Sequence, residues 1–408
     1  MKHFTLFLSI YFIILNCEAQ DSIGVYLNSV KQEFLTSEQI MPDSIVTNYN
    51  IVLIGETHGF SGNYKIATKF IKEYKRHTDF TYLLAEMDWA TSQQLNSYLL
   101  RRDTVGIKKL INKTKSSPAW CKERYQFYKE LIDINKSHEK KIMYLGVDIP
   151  AGGISNTINR LLEINDKYGK DDTKLKSFAG KQKPNKEVVE YIEMLYNDSD
   201  NCQYQQDDLF EYKFHLQNIL NYNSAIHTSS EIGWDKVRDS CIFENYKRLE
   251  PQLNLQNQKM IGIWGHTHTF QSNSQGVRWF ASRLKNELNK KVYSYRIFYF
   301  DSKCMLPEQW LPGILKIAKS KKKQYYKVKL QNDDNWATGT KREVGKLKKA
   351  TPKNSIYYYD LTCCNSPFIN NPYLVNKYEL DWNTTDFFQT AIVVRNSEAT
   401  EPFGENRK

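Results

Sequence analysis

The chain has 408 residues, 40% hydrophobic and 25% charged, an ordinary globular composition that excludes wholesale disorder and fits one large domain or two. Its 57 Lys and Arg against 46 Asp and Glu leave a formal charge of +11, much of it in the runs Lys316–Lys323 and Lys341–Lys349. No nucleic-acid-binding motif accompanies these runs, so they read as solvated faces and nucleic acid is not an expected partner.

At the N-terminus, Lys2 and His3 precede an apolar run from Phe4 to Leu15 and then Asn16-Cys-Glu-Ala-Gln20. A short basic region, an apolar core and a small residue before the cut define a signal peptide, here residues 1–19. The expectation is an exported protein, periplasmic or extracellular. Lipoprotein anchoring at Cys17 is the less favoured alternative, because Asn16 is a poor residue before a lipobox cysteine. Removing the leader subtracts one Lys and one Glu and leaves the charge at +11. No later segment approaches the roughly eighteen uninterrupted apolar residues of a membrane helix, so no stable membrane insertion is expected. Six cysteines remain after position 19. Their even number permits disulfides without fixing a pairing, and their spacings match no zinc pattern. Residues 20–400 are expected to form one domain, followed by a tail over 401–408.

Ile51-Val-Leu-Ile-Gly-Glu-Thr-His-Gly59 reads as a strand buried on both faces, which ends in a glycine and is followed by a carboxylate, a hydroxyl and an imidazole. Tyr82-Leu-Leu-Ala-Glu86, Lys141-Ile-Met-Tyr-Leu-Gly-Val-Asp148 and Lys259-Met-Ile-Gly-Ile-Trp-Gly265 repeat the pattern. Amphipathic stretches lie between them, over 63–77 and 91–100. Strands alternating with helices predict an α/β fold with a mainly parallel central sheet and flanking helices. Residues 151–255 carry helical periodicities without a clear strand and read as a helical insertion over the sheet. Beyond it come a helix over 278–288, a strand over 291–300, and strand candidates at 325–330, 356–361 and 387–394. The polar stretch 331–352 reads as a loop.

In open α/β sheets, ligands bind at the carboxyl ends of the strands. Four such ends present Glu56 and His58, Glu86, Asp148, and His266 with His268. Two imidazoles beside carboxylates form a general acid/base set, with a carboxylate fixing the tautomer of the histidine that takes a proton from water. Each residue also has a structural reading. Glu56 and His58 can be an ordinary polar strand-end loop, Glu86 a cap or ion pair, Asp148 a helix N-cap, and His268 a pocket wall. No nucleophile elbow occurs, and Cys241 reads as a structural thiol. The rival chemistry is a divalent metal held by Glu, His and Asp, including a phosphoesterase, since Gly265-His-Thr-His268 matches a late metallophosphoesterase motif. That family's earlier motifs are missing.

Taken in order, Gly55-Glu-Thr-His-Gly59, Glu86, Gly146-Val-Asp148, Arg238-Asp-Ser-Cys-Ile-Phe-Glu-Asn245, Trp264-Gly-His266, Phe280-Ala-Ser-Arg-Leu-Lys285 and Thr390–Pro402 resemble the erythromycin esterase-like hydrolases over most of the mature chain. The resemblance implies a deep cleft and hydrolysis of a small-molecule ester or lactone by histidine-activated water, with no resident cofactor. It would make His58 the general base, with Glu56 and Glu86 orienting it or the water. Arg238 and His266 would bind substrate or steady an oxyanion, although Arg238 can equally form an ion pair with Asp239 or another helix residue. Asp148 and His268 are further candidates for binding substrate. The family places its second histidine three residues after the first, whereas His266 and His268 are two apart and Thr269 holds the expected place. His268 therefore does not simply inherit that role. A non-catalytic ligand- or haem-binding protein on the same fold is the remaining alternative. Oligomeric state is left open.

Overall fold

A computed structural model describes residues 22–313, 323–335, 338, 343–376 and 381–405. The leader read over residues 1–19, Cys17 within it, and most of the first basic run lie outside these residues.

The described residues contain ten strands: β1 Lys31–Glu33, β2 Ile51–Glu56, β3 Tyr82–Asp88, β4 Met143–Asp148, β5 Met260–Gly265, β6 Val292–Phe300, β7 Cys304–Pro307, β8 Tyr325–Val328, β9 Ile356–Asp360 and β10 Thr390–Arg395. Eight form one sheet in the order β1-β9-β10-β6-β2-β5-β3-β4. The run from β10 to β4 is parallel throughout, and β9 and β1 close one edge with antiparallel pairings. The fold is therefore the expected α/β class.

Period-two alternation sends the apolar residues of each strand to opposite layers. Val52 and Ile54 of β2 join a core with Phe70, Ile71 and Tyr74 of the Gly62–His77 helix and Leu131 of the Lys122–Lys136 helix. Ile51 and Leu53 face the other layer, against Phe243, Tyr246 and Leu249 of the Glu231–Gln252 helix. Fully burying a side chain of this size stabilises by about 1.5–3 kcal/mol, so a central strand apolar on both faces is anchored twice over.

Between Ile149 and Leu255 the elements are helical, chiefly Ser155–Lys167, Lys186–Asp198, Gln206–Ile226 and Glu231–Gln252. They enclose a core of their own, with Ile158, Leu161, Ile192, Leu216 and Ile219 fully buried. This layer covers β4, the edge of the sheet. Exposed strand edges need partners, and here asparagines supply them. Asn96 both donates to Tyr144 O (2.9 Å) and accepts from Tyr144 N (2.7 Å), while Asn245 donates to Val147 O (3.0 Å) and Asn218 to Asp148 O (2.9 Å).

One expectation is corrected. The stretch 331–352 contains a helix, Val344–Ala350, whose Leu347 is fully buried against β9 and β10, because an apolar residue at every third position outweighs the surrounding lysines. The strand candidate at 325–330 is present as β8, which pairs with β7 in a separate two-stranded ribbon. The tail over 401–408 is docked where it is described. Lys122 N donates to Glu401 O (2.9 Å), Phe403 N donates to Trp120 O (3.2 Å), and the Phe403 ring packs on Tyr125.

Candidate active site

Parallel pairing brings every named strand end to one edge of the sheet. β5 follows β3 and β4 in the chain but lies between β2 and β3, so its histidines fall between the carboxylates of the first two motifs. Glu56 stands opposite Gly265 in the β2–β5 register. Ala85 pairs with Gly146 and Asp88 with Asp148, leaving β3 one residue longer than β4 between those pairs. Such a bulge re-aims side chains, and Glu86 sits in it. The glycines of the first motif have steric reasons. A Cβ at Gly55 would lie 2.6 Å from Thr269 Oγ1, and Gly59 has φ +88° with the Met305 carbonyl 2.4 Å from the position of a Cβ.

The β2 loop folds back so that His58 Nδ1 lies 2.5 Å from Glu56 Oε1. The second Glu56 oxygen accepts from Asn63 Nδ2, whose own carbonyl accepts from Tyr299 OH. Glu56 is thereby fixed from behind by a helix residue and a β6 tyrosine. Burial disfavours an imidazolium at His58, but Glu56, and behind it Glu86, outweigh this and push its pKa up to about 9. With 41% of the His58 side chain in contact with water in the cleft, solvent screens the attraction. Upward is the direction that governs its chemistry. Its Nε2 faces Gly265: around the place a Cβ would occupy there stand Glu86 Oε2 at 3.4 Å, His268 Cδ2 at 3.5 Å and His58 Nε2 at 3.7 Å.

Glu86 Oε2 accepts from Gly265 N at 2.8 Å and Oε1 from Arg238 Nη2 at 2.7 Å. Burial works to raise the Glu86 pKa, but Arg238, His268 and His58 hold the carboxyl well below the usual carboxylate range. Arg238 reaches in from the Glu231–Gln252 helix and also donates from Nε to Asp148 Oδ1 at 3.1 Å. It thus joins the ends of β3 and β4. Asp148 does not cap a helix; it accepts from Arg238 and from Ile149 N. Burial lifts its carboxyl above the ordinary value against the pull of Arg238, which the two carboxylates keep charged.

His268 is buried. Its Nδ1 lies 2.7 Å from Asp239 Oδ2, close enough for an ion pair but outside hydrogen-bond alignment. Its Nε2 is 3.2 Å from Arg238 Nη1 and 3.6 Å from Glu86 Oε1. A neutral ring accepts from Arg238, whereas an imidazolium faces Glu86. Burial opposes the charge, but Asp239 and Glu86 prevail and push the pKa up to about 10. The structure therefore brings together Glu56, His58, Glu86, Asp148, Arg238 and His268. His266 stands at the same strand end, with its ring edge-on to Phe270 at 5.7 Å. It is not among the residues lining the cavity that holds His58. Asn63, Asp239 and Arg124 belong to the site without having been singled out. Asp239 was legible as the neighbour of Arg238 in its motif, whereas nothing in the local sequence marks Asn63 or Arg124.

Two cavities of about 260 Å³ each open beside this network. The first is lined by Glu56, His58 and Glu86 together with Tyr64, Arg124 and Trp310. The second is lined by Asp148 and Arg238, and shares Glu86, Arg124 and Tyr128 with the first. Among the described residues no group of three or more His, Cys, Asp and Glu is arranged to hold a metal ion. The carboxylates of Glu86 and Asp148 are already bridged by a guanidinium. The six cysteines at positions 121, 202, 241, 304, 363 and 364 are free thiols. No helix of the described residues is long and apolar enough to cross a membrane.

No family model and no curated protein matches the sequence. Solved structures do match the fold. A Bacillus cereus protein superposes with a TM-score of 0.65 at 14% identity, covering 94% of this chain and 99% of its own. A succinoglycan biosynthesis protein gives 0.65 at 15% identity with the same coverages. A mutant of the erythromycin esterase EreC in its open conformation gives 0.59 at 12% identity, covering 89% of this chain and 94% of that one. The chain has the erythromycin esterase-like fold.

Proposed function

We propose that this fold serves here as an exported hydrolase, cleaving an ester or lactone with water activated by His58 and without a resident metal. The observation that carries this reading is the His58–Glu56 pair, 2.5 Å apart, with the free ring nitrogen turned toward Glu86 across the open face of Gly265. Neutral His58 takes the proton of a water held on that face, while Glu56 holds the Nδ1 proton and balances the imidazolium that forms. The same proton then goes from His58 to the leaving alkoxide. Glu86, kept ionised by Arg238, accepts a hydrogen bond from the water and orients it. Arg238 acts through Glu86 and Asp148 and is a positioning residue. No step is assigned to His266. Its ring packs on Phe270, and the cavity lining passes it by. Export rests on the N-terminal leader pattern alone.

The test is turnover of a panel of aryl esters, lactones and macrolides by the mature chain, in the presence and absence of a chelator, beside His58→Ala. Hydrolysis that disappears in the variant and survives chelation supports the reading; unchanged turnover in His58→Ala refutes the mechanism.

A further inference from the structure

Arg124 is the charged group that the proposed chemistry leaves unused. It lies in the first turn of the Lys122–Lys136 helix and lines both cavities. Its Nε donates to Tyr128 OH at 2.7 Å, and its guanidinium lies 5.5 Å from the centroid of the same ring. The other groups that face it are the phenols of Tyr64 and Tyr144 and the thiol of Cys121, all held neutral by burial. Among the described residues no carboxylate comes within ion-pairing distance of it. Within the network described above, His58, Arg238 and His268 each face an acid: His58 has Glu56, Arg238 has Glu86 and Asp148, and His268 has Asp239.

A guanidinium partly removed from water without a counter-anion is costly. Tyr128 occupies only the Nε side. The two terminal nitrogens remain as a parallel pair of donors, the fork that matches a carboxylate or phosphate. We infer that Arg124 is the seat of an anionic group on the substrate, so that the ester cleaved beside His58 belongs to a molecule carrying a carboxylate or phosphate on the Arg124 side. The inference rests on the hydrolase reading above and adds the substrate class to it. The phenols of Tyr64 and Tyr128 complete the seat. The shared lining of the two cavities lets the rest of the molecule extend toward the second.

Two aryl esters of similar length separate the possibilities: the para-nitrophenyl monoester of glutaric acid, and para-nitrophenyl pentanoate, which lacks the terminal carboxylate. Wild type is expected to favour the anionic ester by about 30-fold in kcat/KM, through KM, as one charge-assisted bidentate contact implies. Arg124→Gln should remove most of that preference and Arg124→Lys should retain part of it. Equal handling of the two esters by wild type overturns the inference. So does an equal loss on both esters in Arg124→Gln, which marks a structural or oxyanion role. If wild type cleaves neither ester, the hydrolase reading is what fails. Calorimetric binding of glutarate then still tests Arg124, with affinity expected to fall by about 30-fold in Arg124→Gln and an unchanged affinity refuting the seat.

Discussion

Two histidine–carboxylate pairs stand within the same network, and their surroundings give them opposite work. His58 and Glu56 meet at 2.5 Å in an aligned hydrogen bond, on a loop whose imidazole is 41% open to the cleft. His268 and Asp239 approach to 2.7 Å with side chains 6% and 0% exposed, and both are committed further: Asp239 accepts from Phe280 N, and His268 touches Arg238 and Glu86. The first pair can reach water and change its charge, because only one side of it is held. The second is surrounded, so losing its proton would leave Asp239 without a counter-charge in the interior. The same two functional groups thus make a reactive dyad at β2 and a clamp at β5. Burial and the number of partners make the difference.

Variants on the two sides break that comparison in different observables. His58→Ala is expected to lower kcat/KM on the order of 10⁴-fold, the upper range for a lost general base, with a smaller loss of stability than the clamp variants because solvent screens the exposed pair. A large loss of stability instead would assign the β2 pair to the clamp. Arg238→Ala leaves Glu86 and Asp148 facing each other uncompensated, and should cost about 3–5 kcal/mol in chemical denaturation, as breaking a buried ion pair does. Gly265→Ala places a methyl between His58 Nε2 and Glu86 Oε2 at distances of ordinary contact (3.4–3.7 Å), so the protein should fold. Displacing the water should nevertheless reduce turnover about 10²-fold, and full activity would move the nucleophile elsewhere.

The pH dependence sharpens the contrast. As a base whose conjugate acid titrates at about 9, His58 should give a kcat/KM that rises with pH up to that point. Glu56→Gln removes the charge that holds the proton, so this limb should shift downward toward the ordinary histidine value; a stationary limb would assign the titration to another group. His268 shows up in stability instead. Its pKa is raised from 6.5 to about 10 in the folded chain, so its contribution is fully present below about pH 6.5 and fades as pH rises toward 10. Melting temperatures across that window should fall less steeply in His268→Gln, and the comparison is cleanest in a His58→Ala background, since His58 also titrates there.

Much of the fold was legible because β2 to β5 are apolar on both faces and end in polar residues, a pattern that only a covered parallel sheet satisfies. The helical insertion showed its periodicity for the same reason. The Val344–Ala350 helix was hidden by five lysines and arginines around three apolar contacts. The role of Asp148 was ambiguous because an aspartate before Ile-Pro suits a helix cap as well as an ion pair. The partners of the two histidines were not legible. Asn63 fixes Glu56 from a helix that otherwise reads as an amphipathic cover. Asp239 sits beside Arg238 in sequence, yet it faces His268 and Phe280 N while Arg238 faces Glu86 and Asp148, since consecutive helical residues point about 100° apart.

By itself, then, the sequence determined the strands, their polar ends and the residue types available for acid–base chemistry, since hydrophobic periodicity and local chemistry are written along the chain. The tertiary structure decided which histidine meets water. Inserting β5 between β2 and β3 set His58 Nε2 opposite Glu86, buried His268 behind Arg238 and turned His266 onto Phe270. Strand order and burial depend on contacts between residues some two hundred positions apart, and no local pattern carries them.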